Sequence, residues 1–144
     1  MSDIEGGCAC GAVRFKVTGP MMGSGTCHCR DCQKASGGGP AYVALAPKAG
    51  FVVTKGQDRI KVYKSKADSG GEVGRAFCGA CGTPLYTLTG EAIPFYPVKV
   101  GALDDASTYT PGIHLYMDSA QPWHLTHAGL PQFPKMPPMG PPPN

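Results

Sequence analysis

The sequence predicts a mainly β protein: a single domain of short antiparallel strands with little helix. Three observations predict it. Short runs of alternating apolar and polar residues, about eight of them, recur along the chain. Glycine (21) and proline (15) make up a quarter of the 144 residues, and both interrupt long helices. Hydrophobic residues still reach 42%, too many for a chain disordered throughout. A chain of this length forms one domain and buries roughly two-thirds of its unfolded surface. The glycines follow no Gly-X-Y period, which excludes collagen.

Gly6-Gly7-Cys8-Ala9-Cys10-Gly11 reads as a compact turn carrying two thiols. Val13, Phe15 and Val17 then alternate with Arg14 and Lys16, the pattern of a half-buried strand that ends at Gly19-Pro20. Cys27 to Gly39 is a cysteine-rich turn in which Cys32 to Ser36 leaves room for one helical turn. Tyr42 to Leu45 and Phe51 to Thr54 are short strands separated by Pro47 and Gly50. Ile60 to Lys64 is another, and Lys66 to Glu72 is a polar loop. Val73 to Phe77 leads into the turn Cys78-Gly79-Ala80-Cys81-Gly82, with Leu85 to Thr89 beyond it. Val98 to Val100 and Ile113 to Met117 are the last strands, with a turn or short helix over Ala102 to Ser107. From Pro131 the composition changes: seven of the 15 prolines crowd the end. This divides the chain into a domain over 1–130 and a proline-rich tail over 131–144, extended, polyproline-like or disordered.

Composition also narrows the function. Charged residues are 16% and the net charge is +3, with the basic residues scattered. A nucleic-acid groove needs a basic stripe, so that partner is not expected. No apolar run approaches 18 residues, so no membrane span is expected. The first 20 residues lack the apolar core of a secretory signal, so the expected compartment is the cytoplasm. Seven cysteines are an odd count that fits a pure disulfide framework poorly. In a reducing compartment, close-set cysteines hold metal or do chemistry.

The cysteines fall into three groups: Cys8-x-Cys10, Cys27-x-Cys29-x2-Cys32 and Cys78-x2-Cys81. Zinc takes four ligands in structural sites and three plus an open position in catalytic ones, so seven thiols suit one closed and one open site. Spacing allows more than one grouping. Cys27, Cys29 and Cys32 lie within six residues and could chelate one ion, leaving Cys8, Cys10, Cys78 and Cys81 for a second. Cys29 and Cys32 with Cys78 and Cys81 is the competing set. One zinc with three bystander thiols, or a redox pair forming within Cys27, Cys29 and Cys32, are the plainer alternatives.

The motifs themselves carry a resemblance. Gly7-Cys8-Ala9-Cys10-Gly11-Ala12-Val13-Arg14-Phe15, Cys27-His28-Cys29-Arg30-Asp31-Cys32-Gln33-Lys34-Ala35-Ser36-Gly37 and Phe77-Cys78-Gly79-Ala80-Cys81-Gly82-Thr83-Pro84-Leu85 occur in order. Pro122-Trp123-His124 and Gly129-Leu130-Pro131-Gln132-Phe133 follow them. Over about residues 5–136 the sequence resembles the glutathione-dependent formaldehyde-activating, or S-(hydroxymethyl)glutathione synthase-like, enzymes, a family that also includes centromere protein V. The resemblance implies a zinc-pinned β-tent with Cys8, Cys10, Cys78 and Cys81 on a structural zinc. It implies Cys27, Cys29 and Cys32 as ligands of a catalytic zinc, glutathione as cosubstrate and a formaldehyde-type aldehyde. The expected reaction joins thiol and aldehyde, and its reverse is a carbon–sulfur lyase step.

Other residues take expectations from this frame. Arg30 and Lys34 flank the open site and could meet glutathione carboxylates. His28 reads as an outward-facing turn residue, Trp123 as a core anchor, and His114 carries no assigned role. His124 and His127 lack ligand-like partners. The stretch Gly38 to Gly74 would shape substrate choice. Gly37-Gly38-Gly39 lacks the Lys-Ser/Thr ending of a phosphate loop. A zinc-stabilised binding module without turnover and a thiol redox sensor are the competing functions, and no feature speaks to oligomeric state.

Overall fold

A computed structural model describes residues 3–67 and 70–137. Their strands are β1 (Ile4–Gly7), β2 (Arg14–Val17), β3 (Ser24–Cys27), β4 (Ala41–Pro47) and β5 (Phe51–Lys55). They continue as β6 (Ile60–Lys66), β7 (Glu72–Cys78), β8 (Pro84–Leu88), β9 (Phe95–Lys99) and β10 (His114–Leu115). One α-helix, α1 (Arg30–Ser36), stands between β3 and β4. The strands form two sheets, β1-β2-β5 and β10-β3-β4-β9-β8-β7-β6. Every strand pairing among the described residues is antiparallel except β10 on β3.

The alternation in β2 does what period two requires: Phe15 and Val17 are buried and Arg14 and Lys16 face outward. Their apolar face meets Leu85 and Tyr86 of β8, Val98 of β9 and Ala46 of β4 in one core. Phe51 of β5 joins the two sheets. Its ring stacks on Phe15 at 5.4 Å and meets Tyr86 at 4.7 Å and Tyr96 at 5.4 Å. Such aromatic pairs contribute about 0.5–1.5 kcal/mol each beyond the area they bury.

Two strands lie outside the sequence expectation, because glycines hide their pattern. In β1, a Cβ on Gly6 would sit 2.3 Å from the Ala102 carbonyl oxygen, so only glycine allows that approach. In β3, Ser24-Gly25-Thr26-Cys27 offers no apolar alternation, yet it pairs with β4 and β10. The helix is also longer than one turn. Cys29 caps it by accepting the Cys32 N–H, and Gly37 ends it in the left-handed region at φ 88°.

The first residues of the expected tail, from Pro131 to Pro134, are hydrogen-bonded to β10 and the turn after it. His114 donates its N–H to the Pro131 carbonyl and Phe133 donates to the His114 carbonyl, both at 2.9 Å. Met117 and Asp118 donate to Phe133 and Pro134. The prolines here supply carbonyl acceptors, so their missing N–H groups cost nothing. The rest of the tail, 138–144, lies outside the described residues.

Trp123 is not a core anchor: it is 63% exposed, with its ring edge-on to His124 at 4.6 Å. The core is already filled by Phe15, Leu85 and Tyr86, which the strands deliver directly.

Candidate metal and thiol site

The structure brings the seven cysteines into two groups. The sulfurs of Cys8, Cys10, Cys78 and Cys81 lie within 4.8 Å of one another, as do those of Cys27, Cys29 and Cys32. The competing set of Cys29 and Cys32 with Cys78 and Cys81 does not form. Among the described residues no other His, Cys, Asp or Glu grouping could hold a metal.

The first group joins the turn after β1 to the turn between β7 and β8. Cys8 and Cys78 are buried in the main core, and Cys10 and Cys81 face solvent. The Val13 N–H points at Cys8 Sγ at 3.2 Å, and the Ala80 and Cys81 N–H groups point at Cys78 Sγ. Such donors favour thiolates. Ala9 donates to Thr83 Oγ1 at 3.0 Å, tying the two turns together. Cys10 Sγ stands 3.6 Å from Cys8 Sγ and 3.9 Å from Cys78 Sγ. Metal–sulfur bonds of about 2.3 Å around a tetrahedral zinc would put neighbouring sulfurs roughly 3.8 Å apart, so the donor set fits that ion.

Protonation in this group is divided. A hydrogen bond from Thr83 holds Cys81 low, at about 5. The Ala12 backbone pulls Cys10 down, but its bonds to Cys8 and Cys81 outweigh that and push it up to about 11. Crowded thiols cannot all ionise beside one another, and a cation removes that conflict.

The second group is built by one local turn. Cys27 ends β3, Cys29 caps α1 and Cys32 sits in the helix's first turn. Hydrogen bonds from Cys27 and then Cys32 hold Cys29 far below the ordinary thiol value, with Arg75 adding to the effect. The bond to Cys29 pushes Cys27 far up.

Beside this turn, α1 and the large sheet enclose a cavity of about 520 Å3. The helix contributes Asp31, Lys34 and Ala35, and the sheet contributes Tyr63, Arg75, Tyr86 and Lys99. Arg75 pairs with Asp31 at 3.8 Å and donates to Ser65 Oγ at 3.0 Å. The cavity thus mixes three cations, Lys34, Arg75 and Lys99, with tyrosines that alternate with Arg75 and Lys99 across β9-β8-β7-β6. A second cavity of about 370 Å3, lined in part by Ile4, Met21, Leu103 and Tyr109, contains no thiol, histidine or cation.

The sequence-derived site residues divide accordingly. Lys34 lines the thiol-side cavity. Arg30 does not; its guanidinium donates to Gln33 Oε1. His28 is not an outward-facing turn residue but fully buried. Its partners explain this: the His28 N–H donates to the Leu115 carbonyl at 3.0 Å, and its ring meets the Thr26 hydroxyl at 3.2 Å and His124 at 2.9 Å. His114 is equally buried and accepts the His127 N–H at 3.0 Å. Arg75 and Lys99 were not legible as site residues, because each is a lone cation on a strand and nothing local marks it. Gln33, 2% exposed, was hidden in the same way within a helix of polar residues.

A Rhodobacter sphaeroides protein of known crystal structure shares the fold, with a TM-score of 0.56 at 22% identity over 72% of this chain and 91% of its own. A Halomonas elongata protein, provisionally named a glutathione-dependent formaldehyde-activating enzyme, is 32% identical over 129 residues. That alignment covers 83% of this chain and 78% of the relative. The sequence profile described as glutathione-dependent formaldehyde-activating enzyme matches residues 3–119. By that match and that relative, the chain belongs to the glutathione-dependent formaldehyde-activating enzyme family.

Proposed function

We propose that the protein joins the glutathione thiol to a formaldehyde-type aldehyde, and runs the reverse carbon–sulfur lyase step, at a zinc held by Cys27, Cys29 and Cys32. A second zinc on Cys8, Cys10, Cys78 and Cys81 pins the β-tent. The observation that carries this reading is the convergence of three thiols, and not four, beside a cavity lined by three cations. Three ligands leave one coordination position open, the arrangement of catalytic rather than structural sites. When bound, zinc supplies a position at which an incoming thiol stays deprotonated at neutral pH.

The chain's own groups do the rest. Glutathione carries two carboxylates and one ammonium. Lys34, Arg75 and Lys99 supply cations for the carboxylates, and Asp31 supplies an anion for the ammonium. Tyr63 and Tyr86 cover the apolar stem of the tripeptide. Held there, the glutathione sulfur faces the aldehyde carbon. A carbon–sulfur bond forms, the carbonyl electron pair moves to oxygen, and that oxygen takes up, through water, the proton that the thiol released. The product is the S-hydroxymethyl thioether.

No helix of the described residues is long and apolar enough to cross a membrane. The cytoplasm, where glutathione keeps thiols reduced, suits both the cosubstrate and the free cysteines. The test is metal content measured with and without glutathione. Two zinc ions per chain, with the environment of one altered by glutathione, supports the reading. One zinc and no response to glutathione sinks it in favour of a binding module.

A further inference from the structure

A buried polar knot lies against the three-thiol turn, and none of its side chains lines the cavity. At its centre is Gln33. Its Nε2 donates to the His28 carbonyl at 2.7 Å and to the Ser119 carbonyl at 2.9 Å. Its Oε1 accepts from Gln121 Nε2 at 3.1 Å and from Arg30. A carboxamide has two N–H donors and two lone pairs, so every hydrogen-bonding position of this buried side chain is filled. The His28 carbonyl belongs to the residue between Cys27 and Cys29. The Gln33 bond therefore fixes the stretch of backbone that spaces two of the three sulfurs.

A second line of contacts reaches the same residue through its ring. The proton positions follow from the partners. His124 Nε2 donates to the Gly38 carbonyl at 2.9 Å, because a carbonyl only accepts. His124 Nδ1 is then the acceptor, its one lone pair shared between the Gln121 N–H at 3.2 Å and His28 Nδ1–H at 2.9 Å. His28 Nε2 in turn accepts the Thr26 hydroxyl at 3.2 Å, and that oxygen accepts His114 Nδ1–H at 2.5 Å. His114 Nε2 closes the chain on the His127 N–H. One assignment with neutral His28, His114 and His124 satisfies every contact.

These bonds link the turn to chain some 86 to 96 residues away. They fall on His28 from both sides, through its carbonyl and its ring. None of them touches Cys8, Cys10, Cys78 or Cys81. The geometry points to Gln33, with Gln121 and His124, as positioning residues that preset the spacing of Cys27, Cys29 and Cys32, with the segment from Ser119 to His124 strapped against the turn. Without the strap, three sulfurs on a single short turn must be ordered when the metal binds, and that ordering weakens binding. The knot also accounts for Arg30, whose guanidinium serves Gln33 and not the cavity. This inference rests on the reading of the three thiols as metal ligands.

The test uses the zinc-loaded full chain titrated with a chromophoric chelator. Cys29→Ser identifies which zinc belongs to the three-thiol turn, because only that one disappears. Gln33→Leu keeps the bulk and removes all four bonds. The chelator concentration that removes the three-thiol zinc should fall about 10- to 100-fold, the usual range for partners behind a metal ligand, while the other zinc is unaffected. Gln121→Ala removes one bond at a partly exposed position and should shift the same zinc a few-fold, so the inference stays testable if Gln33→Leu does not fold. Unchanged removal in the foldable variants, or equal weakening of both zincs, overturns the positioning role. A wild-type chain holding one zinc only overturns the metal reading and the inference with it, an outcome distinct from two zincs held equally well in wild type and variants.

Discussion

The two cysteine groups use the same chemistry in opposite ways. Cys8 and Cys10 meet Cys78 and Cys81 across most of the domain, and two of the four are wedged into the main core. Cys27, Cys29 and Cys32 come from six consecutive residues and sit beside a cavity, touching only a small satellite cluster with Ala41 and Val43. A site assembled from distant segments closes long loops and holds the fold together. A site made by one turn needs no such closure, so it can leave a position open for a substrate. Its weakness is local freedom, and the polar knot against it restrains that freedom.

The largest effect that would break this contrast is at Cys78. It is fully buried, and Cys78→Ser should unfold the domain. Metal binding of this kind contributes on the order of 10 kcal/mol, as much as a whole domain's stability. Circular dichroism showing a folded Cys78→Ser chain with one zinc would remove the structural role from the first group. Chelation of both metals should have the same unfolding effect, read by the same signal.

Cys29→Ser should give the converse: a folded chain, a melting temperature within a few degrees of wild type, one zinc and no turnover. Retained turnover in that variant would refute catalysis at the three-thiol turn.

Smaller effects sharpen the assignment of the cavity. Arg75→Ala or Lys99→Ala should raise the glutathione KM about tenfold with little change in kcat, since a charged hydrogen bond lost equally in ground and transition states contributes about 1.5–3 kcal/mol. A drop in kcat at constant KM would place these cations at the reacting atoms instead.

The smallest effect is on pH dependence. Burial, followed by the neighbouring His127, lowers His114 below the ordinary histidine value of 6.5. The unfolded chain then binds the extra proton first as pH falls. The stability due to neutral His114 is complete above about 6.5 and is lost progressively below it. Urea midpoints should therefore decline from pH 7.5 to 5, and His114→Gln should flatten part of that slope.

Much of the fold was legible because period-two alternation is a local property. Val13 to Val17, Phe51 to Thr54 and Val73 to Phe77 all became strands near their expected limits. β1 and β3 were not legible, because glycine records only that something comes close, not what. His28 and Trp123 exchanged places relative to expectation, the histidine buried and the tryptophan exposed. Burial of a polar ring depends on whether partners arrive to satisfy it. Here they arrive from Thr26 beside it and His124 far along the chain.

The sequence by itself determined a mainly β chain, cysteine groups spaced as metal ligands are and, through three ordered motifs, the family. Those features are written in residue type and short spacing. The tertiary structure selected the four-and-three division of the cysteines that spacing left open and the resemblance implied, and it alone decided that Arg75 and Lys99 join Lys34 at one cavity and that Gln33 holds the turn. Each of these depends on contacts between segments tens of residues apart, and pairing over such distances leaves no mark on the local pattern of either segment.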